Sequence, residues 1–295
     1  MSLLTIGHAE LRRVEEMRIS SLVAHVTNDT ALVDANRSWL SPWCLDENGK
    51  WDIVFQSWIL TVGGRVVVID PCTGNGRPHI QPWFDRLDTP YIERFAAAGV
   101  KPEEVDYVFC THMHHDHCGW NTQLRDGRWV PTFPKARYLF TRREFERWDS
   151  SRPDFNFVDF NEGVYERSIL PVIEAGLADL IGDAHKVLEG VTIESASGHT
   201  LGHAILHLLS DARQAFFTGD VFHHPLQLVR PEIQFGPADD LDAAIATRRH
   251  LVERCAKSDA LIIPAHLPAP HCLRLRRQGG HFVFSAGTPS GISDS

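Results

Sequence analysis

The segment Thr111-His-Met-His-His-Asp-His-Cys-Gly119 constrains this chain more than any other. It follows an apolar run, VDYVFC, that reads as a buried strand. Four of its residues, His112, His114, Asp116 and His117, are imidazoles or carboxylates within six positions. Alternate residues leaving a strand point to one side, which brings His112 and His114 together and leaves Asp116 and His117 to face a second position. Neutral imidazole and carboxylate form a donor set that suits zinc, and α/β folds place their chemistry at the ends of strands. The spacing predicts a metal-binding loop, with His115 pointing away from its neighbours.

Three single residues repeat the arrangement of apolar strand followed by metal donor: His199 after VTIES, Asp220 after AFFTG and His266 after ALIIPA. One edge of a sheet core would gather them with the first cluster. GGRVVVIDP supplies another strand mouth, at Asp70. His203, His207 and His224 read as packing, outer-sphere or surface residues. The cysteines, Cys44, Cys72, Cys110, Cys118, Cys255 and Cys272, show no CxxC pair and are expected to be reduced and mostly buried.

Elsewhere the chain mixes strand and helix signals. LRRVEEMRI and WDIVFQSWILTV alternate with a period near two and predict strands in the first 60 residues. Thr89-Pro90 offers a cap and first-turn proline for a helix through Ala98, and Thr141 to Glu144 a capping box for one through Trp148. Residues 150–162 read as a loop, and a helical pattern interrupted by Pro171 runs to Ile181. Residues 239–257 carry apolar side chains at helical spacing. Trp39, Trp43, Trp51 and Trp58 read chiefly as core, a lid being their other use. With 29 basic against 38 acidic residues and no basic run, the chain lacks the electrostatic footprint of a nucleic-acid binder. No apolar stretch approaches the roughly 18 residues of a spanning helix, and no signal layout opens the sequence, so a cytoplasmic protein without a membrane partner is expected. No repeat or linker divides it, which predicts one domain over residues 1–283 and a disordered tail over residues 284–295.

T-H-x-H-x-D-H, then G-H-T-x-G-H, T-G-D and a late P-A-H resemble, in order and spacing over about residues 60 to 270, the metallo-β-lactamase superfamily. The resemblance implies an α/β (α+β) fold, a four-layer αββα sandwich with its site along one edge. It implies two zinc ions, with iron, manganese or cobalt as the other candidates. His112, His114 and His199 would hold the first ion, Asp116, His117 and His266 the second, and Asp220 would bridge them. Asp70 matches an outer-sphere aspartate that orients the metal loop. Two cations sharing a water bring its pKa toward neutrality, so that a bridging hydroxide attacks a carbonyl or phosphoryl centre while Asp116 protonates the leaving group.

The quorum-quenching lactonases share this five-histidine, two-aspartate set and usually have a tyrosine three residues after the bridging aspartate. Here His223 stands at that position, and a histidine can also donate to an oxyanion. Trp120, Phe222 and His223, adjacent to ligands in sequence, are expected as pocket walls. The expected function is that of a metal-dependent hydrolase that opens a small lactone, such as an N-acyl homoserine lactone, or cleaves an ester. The alternatives are phosphotriester hydrolysis, as in methyl parathion hydrolase, β-lactam hydrolysis, and an iron redox protein on the same fold. Similar enzymes are commonly homodimers.

Overall fold

The computed structural model describes residues 3–278 and 281–286. Contacts gather them into two compact units, one containing Ala9–Met17 and Phe55–His185, the other Leu4–His8, Arg18–Val54 and the chain from Lys186 onward. No linker-like stretch marks these divisions, which is why the sequence reads as undivided.

The sheet of the first unit is built around Arg65–Ile69, where Val67, Val68 and Ile69 are buried. This strand pairs antiparallel with the end of Lys50–Val62, Trp58 opposite Ile69 and Val62 opposite Arg65. Gly63 and Gly64 close the hairpin at φ of 59° and 71°, values that a two-residue turn matched to strand twist demands. On the other side follow three parallel strands, Tyr107–Phe109, Arg137–Thr141 and Ala178–Ile181. Parallel neighbours require crossovers, and the helices Tyr91–Ala97 and Arg142–Trp148 lie in two of them. Val68, Val108, Tyr138 and Phe140 pack with Phe95, Trp120, Phe133 and Ile169 in one core. Because Ile69 lies opposite Phe109, the chain leaves the sheet side by side at Asp70 and at Cys110-Thr111.

The second unit holds a sheet whose strands lie in sequence order: the end of Ala184–Leu188 from Lys186, then Val191–Ser195, Ala204–Ser210, Arg213–Gly219, Leu261–Pro264, Leu273–Gln278 and His281–Ala286. Arg213–Gly219 and Leu261–Pro264 pair in parallel, with Gly219 opposite Pro264. Helix Leu241–Ser258 lies in the crossover between them. Asp240 caps it by accepting from the Ala243 N–H. Ala244, Arg248, Leu251, Val252 and Cys255 form its buried stripe. The parallel pairing places Asp220 and the Ala265-His266 step at neighbouring strand ends.

This is the mixed α/β architecture expected, and the strand mouths fall where the sequence put them. Several local readings change. Helix Thr30–Leu40, capped by Asp29, is an element the strand reading of the first 60 residues does not include. Pro90, not Thr89, is the N-cap of Tyr91–Ala97; the Thr89 hydroxyl turns instead to Glu16 and Asn75. The helical pattern expected through Ile181 ends at Glu174, because Ala178–Ile181 is captured by the sheet edge beside Arg137–Thr141. Strand His281–Ala286 takes in residues 284–286 of the expected tail, and residues 287–295 lie outside the described residues. All six cysteines are free and buried, as expected. Among the described residues, no helix is long and apolar enough to cross a membrane.

Candidate metal centre

In the first unit, the loop that follows Tyr107–Phe109 is tied to the neighbouring strand mouth. Asp70 adopts φ 50°, a left-handed conformation that aspartate tolerates better than most side chains. Its Oδ1 accepts from the Thr111 N–H at 2.7 Å and its Oδ2 from the Thr111 hydroxyl at 2.9 Å. That hydroxyl has one proton, given to Asp70, so it can only accept from His112 Nδ1, 3.1 Å away. His112 is thereby fixed as its Nδ1–H tautomer, with the Nε2 lone pair turned outward. Asp70 Oδ2 also lies 3.1 Å from His117 Nδ1, which orients that ring in the same sense.

The outward-facing atoms then meet in two pairs. His112 Nε2 is 2.9 Å from His114 Nδ1, and His117 Nε2 is 3.6 Å from Asp116 Oδ2. His112, His114 and His117 are buried, while Asp116 keeps 13% side-chain exposure. His115 turns away from the pairs, as expected, onto His79 and Phe84 with ring centroids 4.2 and 4.6 Å distant.

The second unit presents its own donors. His266 Nδ1 lies 3.1 Å from the Val54 carbonyl, to which it can only donate, so Nε2 carries the lone pair. Asp220 divides its carboxylate: Oδ1 is 3.1 Å from His266 Nε2, and Oδ2 is 3.3 Å from His199 Nε2. The loop carrying His199 abuts the start of helix Leu241–Ser258, and a Cβ on Gly198 would come within 2.2 Å of Ala244 N. The Asp239 N–H donates to the His199 carbonyl and the Asp240 N–H to that of Gly198, fixing the loop from outside. His203 Nε2 accepts from the Asp220 N–H at 3.2 Å, one of the three uses left open for it.

His223 sits beside this group, 6% exposed, with Nε2 3.0 Å from Asp220 Oδ2. Its N–H donates to Gln227 Oε1. The segment that carries it is pinned by Arg248, which is completely buried. Arg248 donates to the carbonyls of Val221, Pro231 and Ile233 and to Gln234 Oε1. Burial pushes this guanidinium down to about 10.

Two expected pocket walls are core residues instead. Trp120 stacks on Tyr91 at 4.9 Å and donates its indole N–H to buried Glu16, and Phe222 lies among Leu226, Leu251 and Val252. Trp120 stands three residues past His117 and Phe222 two past Asp220, and at both positions the side chain is taken up by the apolar core of its own unit. Trp51 and Trp58 are likewise buried, whereas Trp43 is exposed.

Sequence reasoning missed four polar groups that hold the donor loops. Glu16 accepts from the N–H groups of Thr73 and Gly74, just past Asp70, and desolvation raises its pKa. Glu144 accepts from the Met113 N–H, Asn161 donates to the Met113 carbonyl, and Arg248 holds the segment of His223. Each looks in sequence like an ordinary surface or helix residue; only the three-dimensional path reveals its target.

The donor set fits a metal ion. Ligand atoms at 2.0–2.1 Å from one tetrahedral ion lie about 3.3 Å apart, and the four donor pairs, from 2.9 to 3.6 Å, bracket that spacing. Tautomers set by Thr111 and the Val54 carbonyl leave lone pairs, not protons, on the facing atoms of His112 and His266.

The metallo-beta-lactamase superfamily profile matches residues 54–266. Among solved structures, the dizinc quorum-quenching lactonase AidC, bound to an N-hexanoyl homoserine product, is 19% identical at a TM-score of 0.76, covering 99% of this chain and 98% of its own. A hydrolase of the beta-lactamase superfamily, AbOPH, is 21% identical at a TM-score of 0.78, with the same coverage of 99% and 98%. A variant of AiiA from B. thuringiensis with bound N-decanoyl homoserine is 16% identical at a TM-score of 0.61, covering 89% of this chain and 94% of its own. No curated protein sequence matches.

Proposed function

The chain belongs to the metallo-beta-lactamase superfamily, and from that premise we propose that it is a binuclear zinc hydrolase that opens small lactones or cleaves esters, residues 1–283 acting as one catalytic domain. The observation that carries this reading is the split carboxylate of Asp220, one oxygen toward His199 and the other toward His266. A carboxylate facing two separate histidines through separate oxygens suits a bridge between two ions. His112, His114 and His199 would hold one ion, Asp116, His117 and His266 the other.

Bound divalent cations supply Lewis acidity and make water acidic enough to deprotonate near neutral pH. The protein's own groups do the rest. His223, buried beside Asp220, would donate a ring N–H to a developing oxyanion, in a setting where such a hydrogen bond is strong. Asp116, the most exposed of the donors, is placed to pass a proton to the departing alcohol. Asp70 and Thr111 keep the metal-facing nitrogen of His112 unprotonated, so the site need not reorganise.

Substrate class follows by analogy with AidC, whose bound product is an acyl homoserine. The test is proton release from a medium-chain N-acyl homoserine lactone by zinc-loaded protein, with and without chelator. Rapid, chelator-sensitive release that disappears in Asp220→Ala together with the bound metal is expected. No release from protein that holds two ions per chain would overturn the lactone assignment, and release by metal-free Asp220→Ala would overturn the mechanism.

A further inference from the structure

We propose that Glu144 and Asn161 are positioning residues that fix the pitch of the His112/His114 pair by each holding one of the two peptide groups that join them through Met113. The proposal rests on the reading of His112 and His114 as ligands of one ion. Met113 separates the two histidines, and its side chain is completely buried in the core of the first unit. Its N–H donates to Glu144 Oε1 at 2.8 Å, and its carbonyl accepts from Asn161 Nδ2 at 3.0 Å. Both partners are themselves buried, at 2% and 6% exposure.

The two peptide groups that join His112 to His114 are each held once, the first through the Met113 N–H and the second through the Met113 carbonyl, so neither can rotate about its flanking Cα atoms and swing one histidine away from the other. The two grips arrive on separate elements. Glu144 sits in the first turn of helix Arg142–Trp148, where the Thr141 hydroxyl accepts from its N–H. Asn161 ends the 3-10 turn Asp159–Asn161.

Each element brings a second contact to the same place. Trp148 and Phe160 meet the His114 ring edge-on, at centroid distances of 5.3 and 5.1 Å and interplanar angles of 73° and 78°. The same Glu144 oxygen also accepts the Trp148 indole N–H at 2.7 Å. Thus one carboxylate couples the histidine loop to the ring that packs on His114. Two segments distant in sequence each supply one polar hold on Met113 and one aromatic wall for His114, a convergence that local helix capping does not require.

Outer-sphere partners of metal ligands commonly account for ten- to hundredfold in metal affinity. The experiment is stepwise titration of chelator-stripped full-length protein with Co²⁺, followed by its visible absorption, for wild type, Glu144→Gln, Glu144→Ala and Asn161→Asp. Glu144→Gln retains an oxygen acceptor and should bind close to wild type. Glu144→Ala loses the N–H grip. Asn161→Asp replaces the donor to the Met113 carbonyl with an acceptor while conserving shape. Both should weaken one of the two stepwise constants about tenfold or more, alter the cobalt spectrum of that site, and leave the other constant near wild type.

Equal constants in all four proteins would overturn the proposal. So would a loss shared by both sites that tracks a lower metal-free melting temperature, since that marks a merely structural role. If Glu144→Ala does not fold, Asn161→Asp decides alone. Absence of lactone turnover in wild type would sink the functional reading and leave these binding constants as informative as before.

Discussion

Gly119→Ala is the substitution that most directly tests how the histidine loop is seated. A Cβ at this position would stand 1.7 Å from the Thr73 carbonyl oxygen and 2.0 Å from its carbon, where ordinary contact begins at 3.4 Å. Both obstacles are backbone, so no side chain can swing aside, and the chain must yield by about 1.7 Å. Overpacking of this kind costs about 3 kcal/mol. The movement also stretches the Gly119 N–H to Cys72 and Trp120 N–H to Pro71 hydrogen bonds, now 2.6 and 2.7 Å, adding about 1 kcal/mol. With an unfolding entropy of about 2.1 cal/mol/K per residue over 295 residues, a loss near 4 kcal/mol lowers the melting temperature by about 6 °C. Thermal unfolding of metal-free protein by circular dichroism reads this directly. Gly182→Ala is the control, because its Cβ would meet nothing within 4 Å, and it should melt within about 1 °C of wild type. A Gly119→Ala protein that melts with the control would refute the backbone-on-backbone seating of the loop.

His223→Ala should retain both ions by elemental analysis and lose about a hundredfold in turnover; an unchanged rate would remove His223 from the reaction. Stability should also respond to pH through Glu194, whose carboxyl is held down to about 2 by His207 and Arg254. Its folded value lies below the unfolded one near 4.5, so its contribution is present above about pH 4.5 and is lost as pH falls toward 2. Allowing for solvent screening of this half-exposed group, wild type should exceed Glu194→Gln by about 1 kcal/mol in urea unfolding at pH 6. That advantage should shrink at pH 3, and an advantage equal at both pH values would contradict the pairing.

The parts of the site legible in sequence are those governed by local rules. A β-branched run has to end somewhere, and a charged or imidazole residue at its end has to face the strand mouth. Asp70, His112, Asp220 and His266 were found that way, and the structure puts each at such a mouth. Trp120 and Phe222 were placed by closeness in sequence to a ligand, which does not fix where a side chain points: Trp120 stacks on Tyr91 and Phe222 packs among Leu226, Leu251 and Val252. Glu16, Glu144, Asn161 and Arg248 act at a sequence distance of 15 to 58 residues from the peptides they hold. Nothing in their flanking residues encodes the target. Ala178–Ile181 shows the converse limit: its apolar residues suit a helix or a strand, and only an open edge beside Arg137–Thr141 decides between them.

The buried cysteines make the molecule its own recorder of breathing. No sulfur takes part in a bridge, and burial pushes Cys44, Cys255 and Cys272 up to about 12 and Cys72, Cys110 and Cys118 upward as well. An alkylating reagent therefore meets no reactive thiolate until the surrounding structure opens. Three of these sulfurs lie in each compact unit, so the order in which they become labelled, read peptide by peptide, is a chronology of which half loosens first.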